Sequence, residues 1–320
     1  MSRHPVQRAT GPWEAQVNAY VAYRRQLGFS LRSTSEELVL FARHLESIGH
    51  RGPLQNDIAI AWAQSAAGAT RQYWAQRLCA VRLFAIHLSA LDPAHEVPPP
   101  HALGRRFTRP NPHIYSSAEL SQLMDVTRII KPVDKLPPLT YRTFFGLLAS
   151  TGMRCGEALS LMRQHVDLKE GRLVVAHAKL GKSRILPLHP STTVALAEYA
   201  STRDDHFPRG PKSDAFFLTR RATSLRYANV AITFRHLRRA LGWKQSPLPR
   251  VHDLRHTFAV QNLVRWCRDG RDDVDNKIAT LTTYLGHVNI TSTYWYFTAV
   301  PELMAIAGQR FETFARVGAR

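Results

Sequence analysis

The sequence predicts a mainly α-helical protein of two domains, with a small β-sheet set into the second. Three observations predict this class. Apolar residues recur at helical spacing through most of the chain, a proline-crowded stretch from Asp92 to Pro112 interrupts that pattern, and alternation replaces it only between Arg172 and Leu188. At 320 residues and 44% hydrophobic, the chain can fill two cores of ordinary size.

The elements follow in order. Trp13, Val17, Tyr20, Val21 and Leu27 space a first helix that Gly28 is placed to end. Ser33 and Glu36 form a capping-box pattern ahead of a second helix, with Gly49 as its stop. Asn56 opens a short third and Thr70 a longer fourth, so residues 10 to 91 read as a four-helix domain. Prolines 93, 98, 99, 100, 110 and 112 then remove donors and restrict angles, which marks a linker from about residue 92. Domains of 1–110 and 111–320 result.

Ser116 and Glu119 form another capping box, and a helix over Leu139 to Ala149 follows Pro137 and Pro138. Leu173 to Ala176 and Arg184 to Leu188 read as strands about a turn at Lys179 to Lys182, giving a hairpin or a three-stranded sheet. Helices resume at Ser191 to Thr202, Leu225 to Leu241, Leu254 to Trp266, Lys277 to Leu285 and Pro301 to Phe314.

Charge narrows the partner. Forty-three Lys and Arg stand against twenty-four Asp and Glu, a formal charge of +19. Residues 1–110 carry thirteen basic and seven acidic side chains, so both domains are basic, as suits a protein that grips a nucleic acid from two sides. No apolar run reaches the roughly 20 residues of a membrane span, and no long basic amphipathic stretch suits a membrane surface. Cys79, Cys155 and Cys267 fit no metal-ligand spacing and read as free thiols of a reducing compartment. The expected location is the cytoplasm, on the nucleoid.

The chemistry concentrates in four blocks. Arg154 lies in TGMRCGE, Lys179 in KLGKSRILPL, His252 and Arg255 in HDLRH, and His287 in LGH, with Tyr296 nine residues further on. Two guanidiniums suit a phosphodiester transition state, because each donates a planar fork of hydrogen bonds and keeps its proton at any working pH. A phenol paired with such cations points to phosphotransfer onto tyrosine. On a helix starting near His252, residues 252, 255 and 256 share one face. His252 and Arg255 can then reach one phosphate together, while His256 reads as packing or a backbone hydrogen bond ahead of direct chemistry. Zinc on the two histidines lacks a third ligand and the helical glutamate of HExxH. The aspartates from Asp269 to Asp275 lack EF-hand spacing. No metal and no cofactor is expected.

These ordered blocks, over roughly residues 113 to 300, strongly resemble the tyrosine recombinases of the phage integrase family. The resemblance implies an N-terminal helical, SAM-like core-binding domain and an integrase-type catalytic domain forming a C-shaped clamp on DNA. It makes Tyr296 the nucleophile of a 3′-phosphotyrosyl intermediate, with Arg154 and Arg255 on the phosphate. His252 takes an acid/base role, and His287 donates to the scissile phosphate. Lys179 protonates the departing 5′ oxygen, with Lys182 as its competitor. Glu157 matches an acidic position that holds an arginine or buttresses its helix. Site-specific exchange of duplex DNA by four protomers on two sites, without metal or ATP and with accessory DNA-binding proteins as possible partners, would follow. The runners-up are a type IB topoisomerase and a non-cleaving DNA-binding regulator. Two features depart from compact members: a longer stretch at Arg265 to Lys277, and an N-terminal domain without a catalytic motif. The residues after Tyr296 resemble those of recombinases associated with transposable elements, and in the family this segment often docks into a neighbouring protomer.

Overall fold

The computed structural model describes residues 11–105, 111–131, 135–176, 183–269, 274–286, 289, 291–299 and 305. The chain divides into two compact units, Met1–Arg109 and Pro110–Arg320.

The first unit holds α1 (Pro12–Gln26), α2 (Arg32–Ser47), α3 (Asn56–Gln64) and α4 (Arg71–Leu91). Their apolar stripes meet in a core that includes Trp13, Tyr20, Phe41, Trp62 and Phe84. Gly28, at φ 87°, ends α1 as expected, letting the Phe29 amide donate back to the Arg24 carbonyl. Thr70 caps α4 by accepting from the Tyr73 amide. The predicted box at Ser33 and Glu36 does not form. The chain enters α2 one turn-start earlier, at Leu31 in the left-handed region (φ 44°), which leaves Ser33 inside the first turn instead of ahead of it.

The proline-bearing stretch after residue 92 lies against this unit as far as Gly104. Prolines cannot donate but still accept, and Arg82 bonds the Pro98 carbonyl while Arg71 bonds that of Leu103, whose side chain joins the core.

The second unit begins with α5 (Ser117–Val126), where the Ser116 and Glu119 box is complete in both directions. Next comes α6 (Leu136–Thr151). It starts earlier than expected because Pro137 and Pro138 sit in its first turn, where amide donors have no helical acceptor and none is lost. A short α7 (Cys155–Leu159), not foreseen as a separate helix, leads to the sheet. Strands β1 (Val166–Asp167), β2 (Arg172–Val175) and β3 (Arg184–Pro187) are antiparallel in that order, with Leu173 opposite Leu186 and Val175 opposite Arg184.

The remaining helices are α8 (Pro190–His206), α9 (Tyr227–Ala240), α10 (Asp253–Asp269), α11 (Val274–Leu285) and α12 (Thr291–Ala299). The helix expected over Pro301 to Phe314 lies outside the described residues. Two apolar clusters fill this unit. One gathers around Phe144, Tyr199, Phe217 and Leu254, and the other around Leu263, Leu281, Leu285 and Tyr296. Helix α10 belongs to both, with Leu254 in the first and Ala259 onward in the second. Arg255 and His256 therefore stand at the seam.

Candidate active site

The site is built on backbone carbonyls. A helix ends with four carbonyls that have no amide partner, at the negative end of its dipole, and cations settle there. At the end of α11 three guanidiniums do so on three consecutive residues. Arg184 Nε donates to Tyr284 O (2.8 Å), Arg255 Nη2 to Leu285 O (2.7 Å) and Arg154 Nη2 to Gly286 O (2.8 Å). They arrive from β3, α10 and the residue before α7, so one helix terminus registers three separate elements.

Two glycines permit this approach. Gly152 (φ 61°) ends α6 and offers its carbonyl to Arg255 Nη1 at 2.8 Å, and a Cβ there would overlap the Phe258 ring. Gly286 (φ 66°) turns the chain after α11, where a Cβ would come within 3.0 Å of Arg184.

Glu157 is the carboxylate of the group. It accepts from Arg184 Nη1 and Nη2 (3.0 and 2.8 Å), from Arg154 Nη1 (2.8 Å) and from the Arg154 amide (2.8 Å). Burial works against its charge, yet the Arg184 and Arg154 hydrogen bonds and the Arg184 charge outweigh that and hold its pKa below the usual glutamate value. Arg184 was not singled out in the sequence. The signal for it was alternation, since Arg184 shares a strand face with buried Leu186 while Ile185 points outward.

Arg255 is only 3% exposed, and no carboxylate among the described residues pairs with it. Burial first, and then the Arg154 charge, push its pKa down to about 10, which leaves it protonated at neutral pH. His252 directly precedes α10 and keeps an exposed edge. The protein packed around the rest of the ring, followed by the Arg255 charge, lowers its pKa. Among the described residues its ring nitrogens make no hydrogen bond. The ring instead meets His256 edge-on at 4.7 Å. Buried Asp253 holds the entry to α10, accepting from the Arg250 amide and guanidinium.

Tyr296 is 1% exposed, and its phenol lies 3.0 Å from His256 Nδ1. Tyr294 is 42% exposed, and two residues on a helix turn the side chain by about 200°, so the two tyrosines face opposite ways. The structure therefore brings Arg154, Arg255, His252 and Tyr296 together, and adds His256 and Arg184. Lys179, Lys182 and His287 lie outside the described residues.

A sequence model described as the phage integrase family matches residues 115–302. The chain belongs to the phage integrase family, the tyrosine recombinases. Among curated members it is 37% identical to a putative integrase/recombinase, y4rB, of Sinorhizobium fredii, over 92% of this chain and 96% of that one. It is 27% identical to the tyrosine recombinase XerC of Serratia marcescens over 88% of each chain. Solved structures share the fold. The Tn1549 transposon integrase in complex with transposon right end DNA superposes with a TM-score of 0.66 at 16% identity, over 93% of this chain and 99% of that one. The XerH site-specific recombinase bound to difH, in its post-cleavage complex, gives 0.63 at 16%, over 96% and 85%. The mainly helical integrase fold expected from the sequence is thus the one observed.

Proposed function

We propose that this integrase-family chain recombines specific duplex DNA sites through a 3′-phosphotyrosyl intermediate. The observation that carries the reading is the convergence of Arg154 and Arg255 on the Leu285–Gly286 turn, in the same cluster that draws in Tyr296. A phosphate among these groups meets two guanidiniums already held by backbone, so little reorganisation accompanies charge build-up on its nonbridging oxygens.

Tyr296 attacks phosphorus and the 5′ oxygen departs with a proton from Lys179. His252 and His287 add hydrogen bonds to the phosphate. The phosphodiester energy is retained in the tyrosyl ester, and the charge is met by arginines, so the cycle is read as independent of ATP and metal. The 5′ hydroxyl of a second duplex then reverses the step. Residues 1–110 act as the helical core-binding domain, and four protomers on two sites make up the working assembly. Relatives whose names describe recombinases and a transposon integrase support a role in mobile or exchanged DNA.

The test begins with duplexes that the protein itself selects from a randomised pool. A nicked version of such a duplex should trap a covalent adduct in EDTA. Tyr296→Phe should abolish the adduct while binding persists. An adduct on Tyr294, or none without metal, would overturn the reading.

A further inference from the structure

A carboxylate that orients a phosphate-binding guanidinium also cancels its charge. Glu157 is such a group, accepting from the Arg154 amide and from Arg154 Nη1, both at 2.8 Å. Left to themselves, Arg154 and Glu157 would be neutral as a pair, and little positive charge would remain for a phosphate. Arg184 changes that balance. Its Nη1 and Nη2 donate to Glu157 Oε1 and Oε2 at 3.0 and 2.8 Å, the two-armed pairing that matches a guanidinium to a carboxylate. A carboxylate offers about four lone-pair sites, and these hydrogen bonds together fill them.

The two arginines are not equivalent. Arg184 Nε is bonded to Tyr284 O, so each of its side-chain nitrogens is engaged within the protein, and its side chain is 14% exposed. Arg154 gives one arm to Glu157 and the other to Gly286 O, and at 31% it keeps the larger open edge for a ligand. Arg184 is therefore placed to serve Glu157, and Arg154 to meet the phosphate. Their neighbour Arg255 registers the balance. Behind burial and the Arg154 charge, it feels Glu157 and Arg184 through space with opposite signs. Charges in a cluster this poorly hydrated are weakly screened, so an unmatched carboxylate there would reach the bound phosphate.

We infer that Arg184 is a positioning residue of the proposed reaction, the counter-cation that lets Glu157 hold Arg154 in place without cancelling its charge. The inference rests on Arg154 being a phosphate-binding group, as proposed above. Arg184 and Glu157 neutralise each other, and the unit charge of Arg154 is left over for the nonbridging oxygens of the transition state. Arg184 itself touches no reacting atom. It acts through Glu157, which fixes the direction of the Arg154 fork.

The test is charge rescue, read as the rate of covalent adduct formation on the nicked, self-selected duplex. Arg184→Gln leaves Glu157 charged and matched only by Arg154, and the rate should fall by about a hundredfold, the lower range for losing one donor to the transition state. Adding Glu157→Gln removes the surplus negative charge, and the double variant should be faster than Arg184→Gln alone by at least about tenfold. A residue that only braces the fold would give a double variant no faster than the single one. Arg184→Lys keeps the charge with a poorer fit, and it too should exceed Arg184→Gln by at least about tenfold. Near wild-type rates for Arg184→Gln, or a double variant or Arg184→Lys as slow as Arg184→Gln at an unchanged melting temperature, would overturn the inference. If Arg184→Gln does not fold, Arg184→Lys decides: a loss of about a hundredfold or more in folded protein overturns the inference, and a smaller one supports it. Failure of the unsubstituted protein to form the Tyr296 adduct would instead overturn the proposed function.

Discussion

Each unit buries an arginine, and the two are treated differently. Arg77, on α4 of the first unit, is 7% exposed. Its guanidinium lies 3.8 Å over the Trp62 ring, donates to the Ala63 carbonyl and faces Glu37 at 3.5 Å. Opposite charge, π-face and carbonyl together neutralise it, so this arginine belongs to the packing. Arg255 is buried more deeply, yet both arms are held only by carbonyls and its charged neighbours include Arg154 and Arg184. Glu157 acts on it only through space and is itself bonded to Arg154 and Arg184, so no carboxylate among the described residues pairs with it. A buried charge left uncompensated is costly unless a partner arrives, and a phosphate dianion-like transition state is such a partner. Burial alone does not separate a structural arginine from a functional one. The sign of the surrounding charge does.

Substitutions can break this contrast. Arg255→Lys keeps the charge and loses the fork, so strand cleavage should fall by about a hundredfold to a thousandfold while gel-shift affinity for the selected duplex holds. Retained cleavage would mean that position, not bidentate donation, matters. Arg77→Met should behave oppositely. Breaking its pair should lower stability to chemical denaturation by about 3 kcal/mol, with cleavage per folded molecule unchanged. A cleavage loss without a stability loss would erase the distinction between the two sites.

Glu157→Gln sharpens it more gently. Because the folded-state pKa of Glu157 is lowered, its contribution is present above the ordinary glutamate value of 4.5 and is lost as pH falls through the lower folded value. The variant should be less stable by about 1 to 2 kcal/mol near neutrality, the scale of hydrogen bonds to a charged group. The two urea midpoints should converge in acid. A constant gap across pH would assign the loss to packing.

Much of this arrangement was legible beforehand, where the cause is local. The Ser116 and Glu119 box needs only residues three apart, and Gly28 needs only its own permissive φ. The Ser33 and Glu36 pattern was equally local and failed, because the chain reaches α2 through Leu31 in a conformation that no spacing reveals. Motif order brought Arg154, His252, Arg255 and Tyr296 into one site. It could not show that His256 touches Tyr296, since those residues are forty apart and meet only when α10 packs beside α12. The string HDLRH placed His256 on the right helical face and was silent about what lay across from it.

The three cations at the end of α11 meet that helix through its main-chain oxygens, not through its side chains, and that makes the site indifferent to much of what α11 is made of but strict about how long it is. Each residue of an α-helix advances the backbone by about 1.5 Å and rotates it by about 100°. Adding or removing a single residue within α11 would therefore swing the carbonyls of Tyr284, Leu285 and Gly286 away from Arg184, Arg255 and Arg154 at once. Side-chain drift along this helix costs packing by degrees, whereas a one-residue change of length would unseat all three together.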